Sequence, residues 1–281
     1  MKQVVLNGKE LANKLEIELK EKMTFLKEKS GKNATLATII VGDNPSSQIY
    51  VKMKGNACNR IGMNSLKVEL KEETTTEELL NVIEKLNNDE NIDGILLQHP
   101  VPRHIDERKC FNSIKMSKDV DGVTSSGFGA MSMGEECFVS ATPLGIMTLL
   151  KYYNIEIEGK KAVVIGRSAI LGKPIAMMLL NENATVTIAH SKTENLEKIV
   201  KEADIVVACV GKPRFVKKEW LKKNVVIVDA GYNKGNVGDV DLENATKVAS
   251  AYTPVPGGVG PMTIISLMSQ TVKSFENRVN N

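Results

Sequence analysis

Little in this sequence is suited to cross-linking, to base stacking or to crossing a membrane. Its four cysteines, Cys58, Cys110, Cys137 and Cys209, are far apart and form no C-x-x-C pair. With no histidine pairs nearby, that spacing argues against a disulfide framework and a zinc site, and fits a reducing, cytoplasmic compartment. Aromatic residues make up 4% of the chain, too few for a base-stacking surface. The formal net charge of +3 is spread along the chain, so no basic run marks a nucleic-acid partner. No apolar window approaches the roughly eighteen residues that a membrane span needs, and the first residues lack the apolar core of a signal peptide. There is no internal repeat and no low-complexity tract. What remains, 42% hydrophobic and 25% charged over 281 residues, is an ordinary globular composition, long enough for two cores.

The most informative stretch covers residues 163–174, Val-Val-Ile-Gly-Arg-Ser-Ala-Ile-Leu-Gly-Lys-Pro. An apolar run ends at Gly166, a small polar turn follows, and Gly172 opens a helix. In an open α/β sheet this strand–turn–helix shape receives a pyrophosphate on the helix's free N–H groups. The spacing is not G-x-G-x-x-G, so an ordinary strand-to-helix turn is the competing reading.

Before that stretch, apolar residues at helical spacing among charges predict an amphipathic helix over 9–29. Residues 34–41 form a buried strand ending at Gly42. Asn44 and Pro45 then suit the cap and first turn of a helix over 46–60 that Gly62 closes. Tyr50 and Lys54 share a face of that helix, near the carboxyl edge of a sheet, where α/β ligands bind. Spacing alone favours an interfacial tyrosine and a solvated lysine over a site. A helix over 76–87 and a strand over 92–97 follow. Gln98 ends that strand, and His99, a residue that could act as a base, is read as packed or surface. Asp119-Val120-Asp121-Gly122 reads locally as an acidic turn, and residues 124–137 as a loop. Thr142 is a candidate cap for a helix over 146–153.

From Lys160 onward, strands at 161–165, 184–189, 204–210 and 225–229 alternate with helices at 173–181 and 194–202, which implies a mostly parallel sheet. In an NAD site, an acid near the end of the second strand bonds the ribose 2′-hydroxyl. Here His190-Ser191-Lys192-Thr193 supplies none. A cation and hydroxyls there, with the forked donor of Arg167 in the preceding turn, favour NADP over NAD if a dinucleotide binds. The run Thr253-Pro254-Val255-Pro256-Gly257-Gly258-Val259-Gly260-Pro261-Met262-Thr263 reads as neither helix nor central strand. It suits a stiff loop allowing close backbone approach to a ligand, or a rigid linker. A last helix covers 263–278.

Taken together, these motifs resemble the bifunctional methylenetetrahydrofolate dehydrogenase/methenyltetrahydrofolate cyclohydrolase family. The resemblance runs over essentially the whole chain. It rests on Val41 to Val51 with Lys54, on Asp93 to Pro100, on Lys118 to Gly122, on Thr142-Pro143-x-Gly145, on Gly166 to Pro174, on His190 to Thr193 and on 253–263. It implies two α/β domains around a cleft. Residues 1–120, with the terminal helix 263–281 packed back on them, would bind folate and carry the catalysis. Residues 121–262 would form a Rossmann-like parallel sheet binding NADP. It implies oxidation of 5,10-methylenetetrahydrofolate to the methenyl cation with NADP, then hydrolysis to 10-formyltetrahydrofolate, in a cytoplasmic homodimer. Lys54, Tyr50 and Gln98 fall on the catalytic positions. Tyr50, Gln98, Asp121, Pro256 and Gly257 are assigned to the substrate, and Thr142, Gly166, Arg167, Ser168, Gly172, Ser191 and Tyr232 to the cofactor. No metal is implied. Three positions depart from the family pattern: Ala141 where a cysteine usually precedes Thr-Pro, Val123-Thr124 after the Asp-Gly, and Tyr232 where isoleucine is common.

Overall fold

The computed structural model describes residues 3–280. In chain order the elements are β1 (Val4–Val5), α1 (Gly8–Ser30), β2 (Thr35–Val41), α2 (Pro45–Ile61), β3 (Asn64–Leu70), α3 (Thr76–Asn88), β4 (Gly94–Leu97), α4 (Glu107–Asn112), α5 (Ser125–Ser132) and α6 (Ala141–Tyr152). They continue with β5 (Lys161–Ile165), α7 (Gly172–Asn181), β6 (Thr185–Ala189), α8 (Leu196–Lys201), β7 (Ile205–Ala208), β8 (Val225–Asp229), α9 (Leu242–Ala245), β9 (Ala249–Tyr252) and α10 (Val259–Asn280). Two compact units emerge: Met1–Ala12 with Thr142–Thr263, and Asn13–Ala141 with Ile264–Asn281. Among the described residues, no helix is long and apolar enough to cross a membrane.

The second of these units holds a parallel sheet ordered β3-β2-β4. Leu36, Ile39 and Ile40 of the central β2 are buried, the continuous apolar run expected of a strand covered on both faces. Asn44 caps α2 by accepting the Ser47 N–H at 3.2 Å, and the helix ends as Gly62 (φ +87°) returns its N–H to Cys58 O at 3.0 Å. β3 escapes the sequence pattern because it is an edge strand. Its residues, Asn-Ser-Leu-Lys-Val-Glu-Leu, are mostly exposed, so no apolar run announces it. The expected loop over 124–137 is corrected as well. Thr124 Oγ1 accepts the Gly127 N–H at 3.0 Å and starts α5, a helix whose two internal glycines hide its period.

The other unit is a six-stranded, all-parallel sheet ordered β1-β9-β8-β7-β5-β6. β6 lies on one side of β5 and β7 on the other, so the strand order reverses at β5. Val163, Ile165, Val206, Ala208, Val225 and Ile227 belong to one buried cluster, with Phe215 and Trp220 packed against it.

The units divide the chain differently from a break at 120/121. Residues 121–141 stay with the three-stranded unit. There Gln270 donates Nε2 to Val120 O (2.7 Å) and Val139 O (2.8 Å) and accepts the Val139 N–H (2.9 Å), while Ser140 Oγ bonds Gly122 O at 2.7 Å. Residues 3–12 stay with the six-stranded unit: β1 pairs with β9, and the Lys9 N–H reaches Gly257 O at 2.8 Å. α6 begins at Ala141, so Thr142 lies inside its first turn and is not its cap. α10 begins at Val259, so the Pro-Gly run is helical in its last part.

The far end of α10 is tied down by charge. Arg278 Nε lies 2.7 Å from Asp93 Oδ1, and Asp93, its side chain 1% exposed, also accepts the Thr35 N–H at 2.8 Å. Arg278→Ala leaves that carboxylate buried with a single backbone donor. With Arg278 itself partly solvated, the expected loss is about 1 to 3 kcal/mol, read as a lower urea midpoint.

Candidate active site

α2 starts just beyond β2, and Gln98 stands just beyond β4, β2's neighbour in the sheet. Lys54 and Gln98 therefore meet at one edge: Lys54 Nζ donates to Gln98 Oε1 at 3.0 Å. Gln98 Nε2 donates to His99 O at 2.8 Å, which decides which end of the amide faces the lysine. Gln98 is buried, Lys54 half-buried, and Tyr50, one turn earlier on α2, is 41% exposed. Burial pushes the Lys54 pKa down, and the negative charge of Asp121 partly opposes it. Burial pushes the Asp121 carboxyl up to about 6, although part of that residue reaches solvent. Lys54 and His99 act to lower it and Asp119 to raise it. Asp119 shapes the turn by accepting the Val123 and Thr124 N–H groups at 3.0 and 2.9 Å. His99 is a surface residue whose Nδ1 lies 2.6 Å from Glu107 Oε1.

In the six-stranded unit, the turn after β5 sits where the strand order reverses, the ligand position of open α/β sheets. Gly166 has φ +134°, and a Cβ on Gly172 would lie 2.4 Å from Gly166 O, so both positions exclude a side chain. One expectation fails here. The Gly172 N–H donates to Ser168 Oγ (3.2 Å), the Lys173 N–H to Ser168 O (3.0 Å), and Pro174 has none. The first N–H groups of α7 are thus occupied within the turn, and Arg167 and Ser168 beside them are exposed. Ile165 and Ala189 are register partners, and Arg167 and Ser191 each lie two residues further on, in the turns that follow β5 and β6. Ser191 is exposed, in a turn closed by the His190 N–H to Thr193 Oγ1 at 2.8 Å.

The remaining candidates are more scattered. Thr142 accepts from Thr263 Oγ1 at 3.0 Å. Tyr232 is 61% exposed and donates its hydroxyl to Asn236 Oδ1 at 2.6 Å across its own hairpin. Pro256 is exposed, and Gly257 has φ +101°.

Two family descriptions match the chain: tetrahydrofolate dehydrogenase/cyclohydrolase, catalytic domain, over residues 6–121, and the NAD(P)-binding domain of the same family over residues 140–279. The chain belongs to the tetrahydrofolate dehydrogenase/cyclohydrolase family. It is 62% identical over 279 residues to the bifunctional protein FolD of Cellvibrio japonicus, covering 99% of this chain and 100% of that one. Among solved structures, the bifunctional FolD enzyme of Campylobacter jejuni superposes with a TM-score of 0.96 at 47% identity, covering 98% of this chain and 99% of its own. The Trypanosoma brucei dehydrogenase-cyclohydrolase, complexed with NADP cofactor and inhibitor, gives 0.96 at 35% identity with full coverage of both chains.

Within this family member, Glu107 went unread in the sequence and Asp119 was read only as part of an acidic turn, and both had a local signal. Glu107 opens α4 directly after its cap Asp106, and Asp119 is the first acid of an Asp-x-Asp-Gly turn. Asp121 offers a clean check of the electrostatics. Its folded pKa of about 6 lies above the unfolded carboxylate value of about 3.9, so its contribution to stability is present below about pH 4 and lost as pH rises through 6. Asp121→Asn is expected to raise the urea-unfolding free energy by about 1 to 2 kcal/mol at pH 8 and to leave it unchanged at pH 4.

Proposed function

We propose that Lys54, held by Gln98, is the acid–base group of a site that processes the one-carbon unit of tetrahydrofolate. The enzyme oxidises 5,10-methylenetetrahydrofolate to the 5,10-methenyl cation with NADP and hydrolyses that cation to 10-formyltetrahydrofolate. The observation that carries the assignment is the Lys54–Gln98 bond itself, a half-buried ammonium whose direct partner is an amide and whose pKa burial lowers. Loss of hydride from an N–CH2–N carbon leaves a cation stabilised by its own two nitrogens, so oxidation chiefly requires orientation. NADP, when bound, takes up that hydride.

Hydrolysis asks more of the protein. Water must add to the cationic carbon and lose a proton, and the nitrogen released as its bond to that carbon breaks must gain one. Lys54 as the free amine takes the proton from water, and as the ammonium returns it to the departing nitrogen. A cationic substrate beside Lys54 lowers its pKa further, which favours the amine when it is needed. Gln98 holds Nζ in place, Tyr50 packs on or bonds to the folate, and the Asp121 carboxylate accepts pterin N–H groups.

The residues at the end of β5 and β6 fit NADP. Gly166 and Gly172 close a tight turn, no acid stands at 190–193 to repel a 2′-phosphate, and Arg167 and Ser191 are exposed in the turns that follow the paired strands β5 and β6. We also read the chain as a cytoplasmic homodimer, which a sedimentation mass equal to one chain would overturn.

Lys54→Met should lower methenyl-to-formyl hydrolysis by roughly 10²–10⁴-fold, the usual worth of a positioned acid–base group. An unchanged turnover would remove Lys54 from the mechanism. Arg167→Ala should raise the KM for NADP about tenfold or more with little effect on NAD, the loss of one charge-assisted pair to phosphate. Equal kcat/KM for the two cofactors in the unmodified enzyme would overturn the preference.

A further inference from the structure

Beyond the β5 turn, the six-stranded unit buries two carboxylates whose partners are amides. Asp239, fully buried, accepts the N–H groups of Val210 (2.6 Å), Gly211 (2.9 Å) and Lys212 (2.9 Å) and Nδ2 of Asn233 (3.0 Å). Asp229, 1% exposed at the end of β8, accepts the N–H groups of Gly231 (3.0 Å), Asp239 (2.9 Å) and Val240 (2.9 Å). Its own N–H donates to Thr253 Oγ1 at 2.8 Å. Thr253 follows β9, so one network joins the turns that leave β7, β8 and β9. Two glycines make room for it: a Cβ on Gly231 would lie 2.2 Å from Asp239 Cγ, and one on Gly238 2.0 Å from Asp229 Oδ2.

Burying carboxylates is costly unless the amides around them repay it, so a plain turn would be the cheaper connection. What the pair secures is the orientation of a backbone. Three consecutive N–H groups point inward to Asp239. In a trans peptide the carbonyl lies opposite its N–H, so the carbonyls of Cys209, Val210 and Gly211 face the other way. The turn is partly exposed, and the Cys209 carbonyl oxygen would lie 2.5 Å from a Cβ on Gly166, which places it against the β5 turn. A row of outward acceptors thus borders the point where the strand order reverses, on the side away from β6. There a dinucleotide's second half lies.

We propose that Asp239, braced by Asp229, is a positioning residue that holds the 209–212 turn with its carbonyls toward the cofactor, as acceptors for the amide N–H donors of the nicotinamide half. This rests on the reading that NADP binds at the carboxyl edge of this sheet. Hydrolysis of supplied methenyl substrate consumes no NADP, so the second activity reports on the fold within the same protein. In Asp239→Asn, the KM for NADP in the dehydrogenase assay should rise about tenfold or more, since displacing a binding group by about 1 Å is costly. Cyclohydrolase kcat/KM should stay within about twofold of the parent, because no group that contacts the folate is touched. An unchanged KM for NADP, or an equal fall in both activities, overturns the proposal. If Asp239→Asn does not fold, Asn233→Ala, which removes one donor and keeps both carboxylates, decides it: its KM for NADP should rise at least about twofold, and no rise overturns the proposal. Arg167→Ala separates the two levels. A raised KM there with none in Asp239→Asn sinks the positioning role alone, whereas no rise in Arg167→Ala removes the cofactor from this edge and the proposal with it.

Discussion

Parallel pairing governs both units. Parallel strands cannot be joined by a tight hairpin, so every return passes over a face of the sheet and every strand delivers its carboxyl end to the same edge. In the three-stranded sheet, that edge gathers the start of α2 after β2 and Gln98 after β4, and so brings Lys54 to an amide from a residue 44 positions away. In the six-stranded sheet it gathers Gly166, Ser191, Cys209, Ala230 and Thr253. The residues gathered there are far apart in sequence because each follows a different strand to the same edge.

The proposed chemistry then depends on what stands next to Lys54. A carboxylate in contact would hold the ammonium charged and offset its burial, and such a lysine could not exchange a proton near neutral pH. Gln98 avoids this. Its amide oxygen accepts a hydrogen bond without a formal charge, and its amide nitrogen is committed to His99 O, so it cannot rotate to present a donor to the lysine. Asp121 acts at longer range, close enough for each charge to favour the other and not bonded to it. Burial pushes both groups toward their neutral forms, and the arrangement leaves both titratable.

The strands buried on both faces were legible because their apolar runs are continuous, as in β2, β5, β7 and β8. The cap at Asn44 and the stop at Gly62 were legible because few residue types suit each geometry. β3 was not, since an edge strand needs no unbroken apolar run, and α5 was not, since its two glycines and three serines mask a helix held by Thr124. The 120/121 boundary failed for a different reason. Gln270 is a distant polar residue, and nothing local shows that its amide will collect both Val120 and Val139. In the site, Lys54, Gln98 and Asp121 came from a family pattern, and spacing alone would have left Lys54 among the solvated lysines. Asp229 and Asp239 resemble any surface acid until the seven N–H groups around them are in view.

Ser168 changes the account of the cofactor turn more than any other residue. A helix N-terminus attracts phosphate through two properties, its dipole and its free N–H groups. In α7 the dipole remains, but Ser168 takes the Gly172 and Lys173 donors and Pro174 supplies none. The fold therefore contributes a field without the usual directed bonds. In the proposed cofactor site, directed recognition of a phosphate falls to side chains in the turns beyond the paired strands β5 and β6, where Arg167 and Ser191 each follow the last register pair by two residues. Side chains there can be exchanged without disturbing Gly166 or Gly172, so the choice between a free 2′-hydroxyl and a 2′-phosphate is separable from the architecture that accepts a dinucleotide.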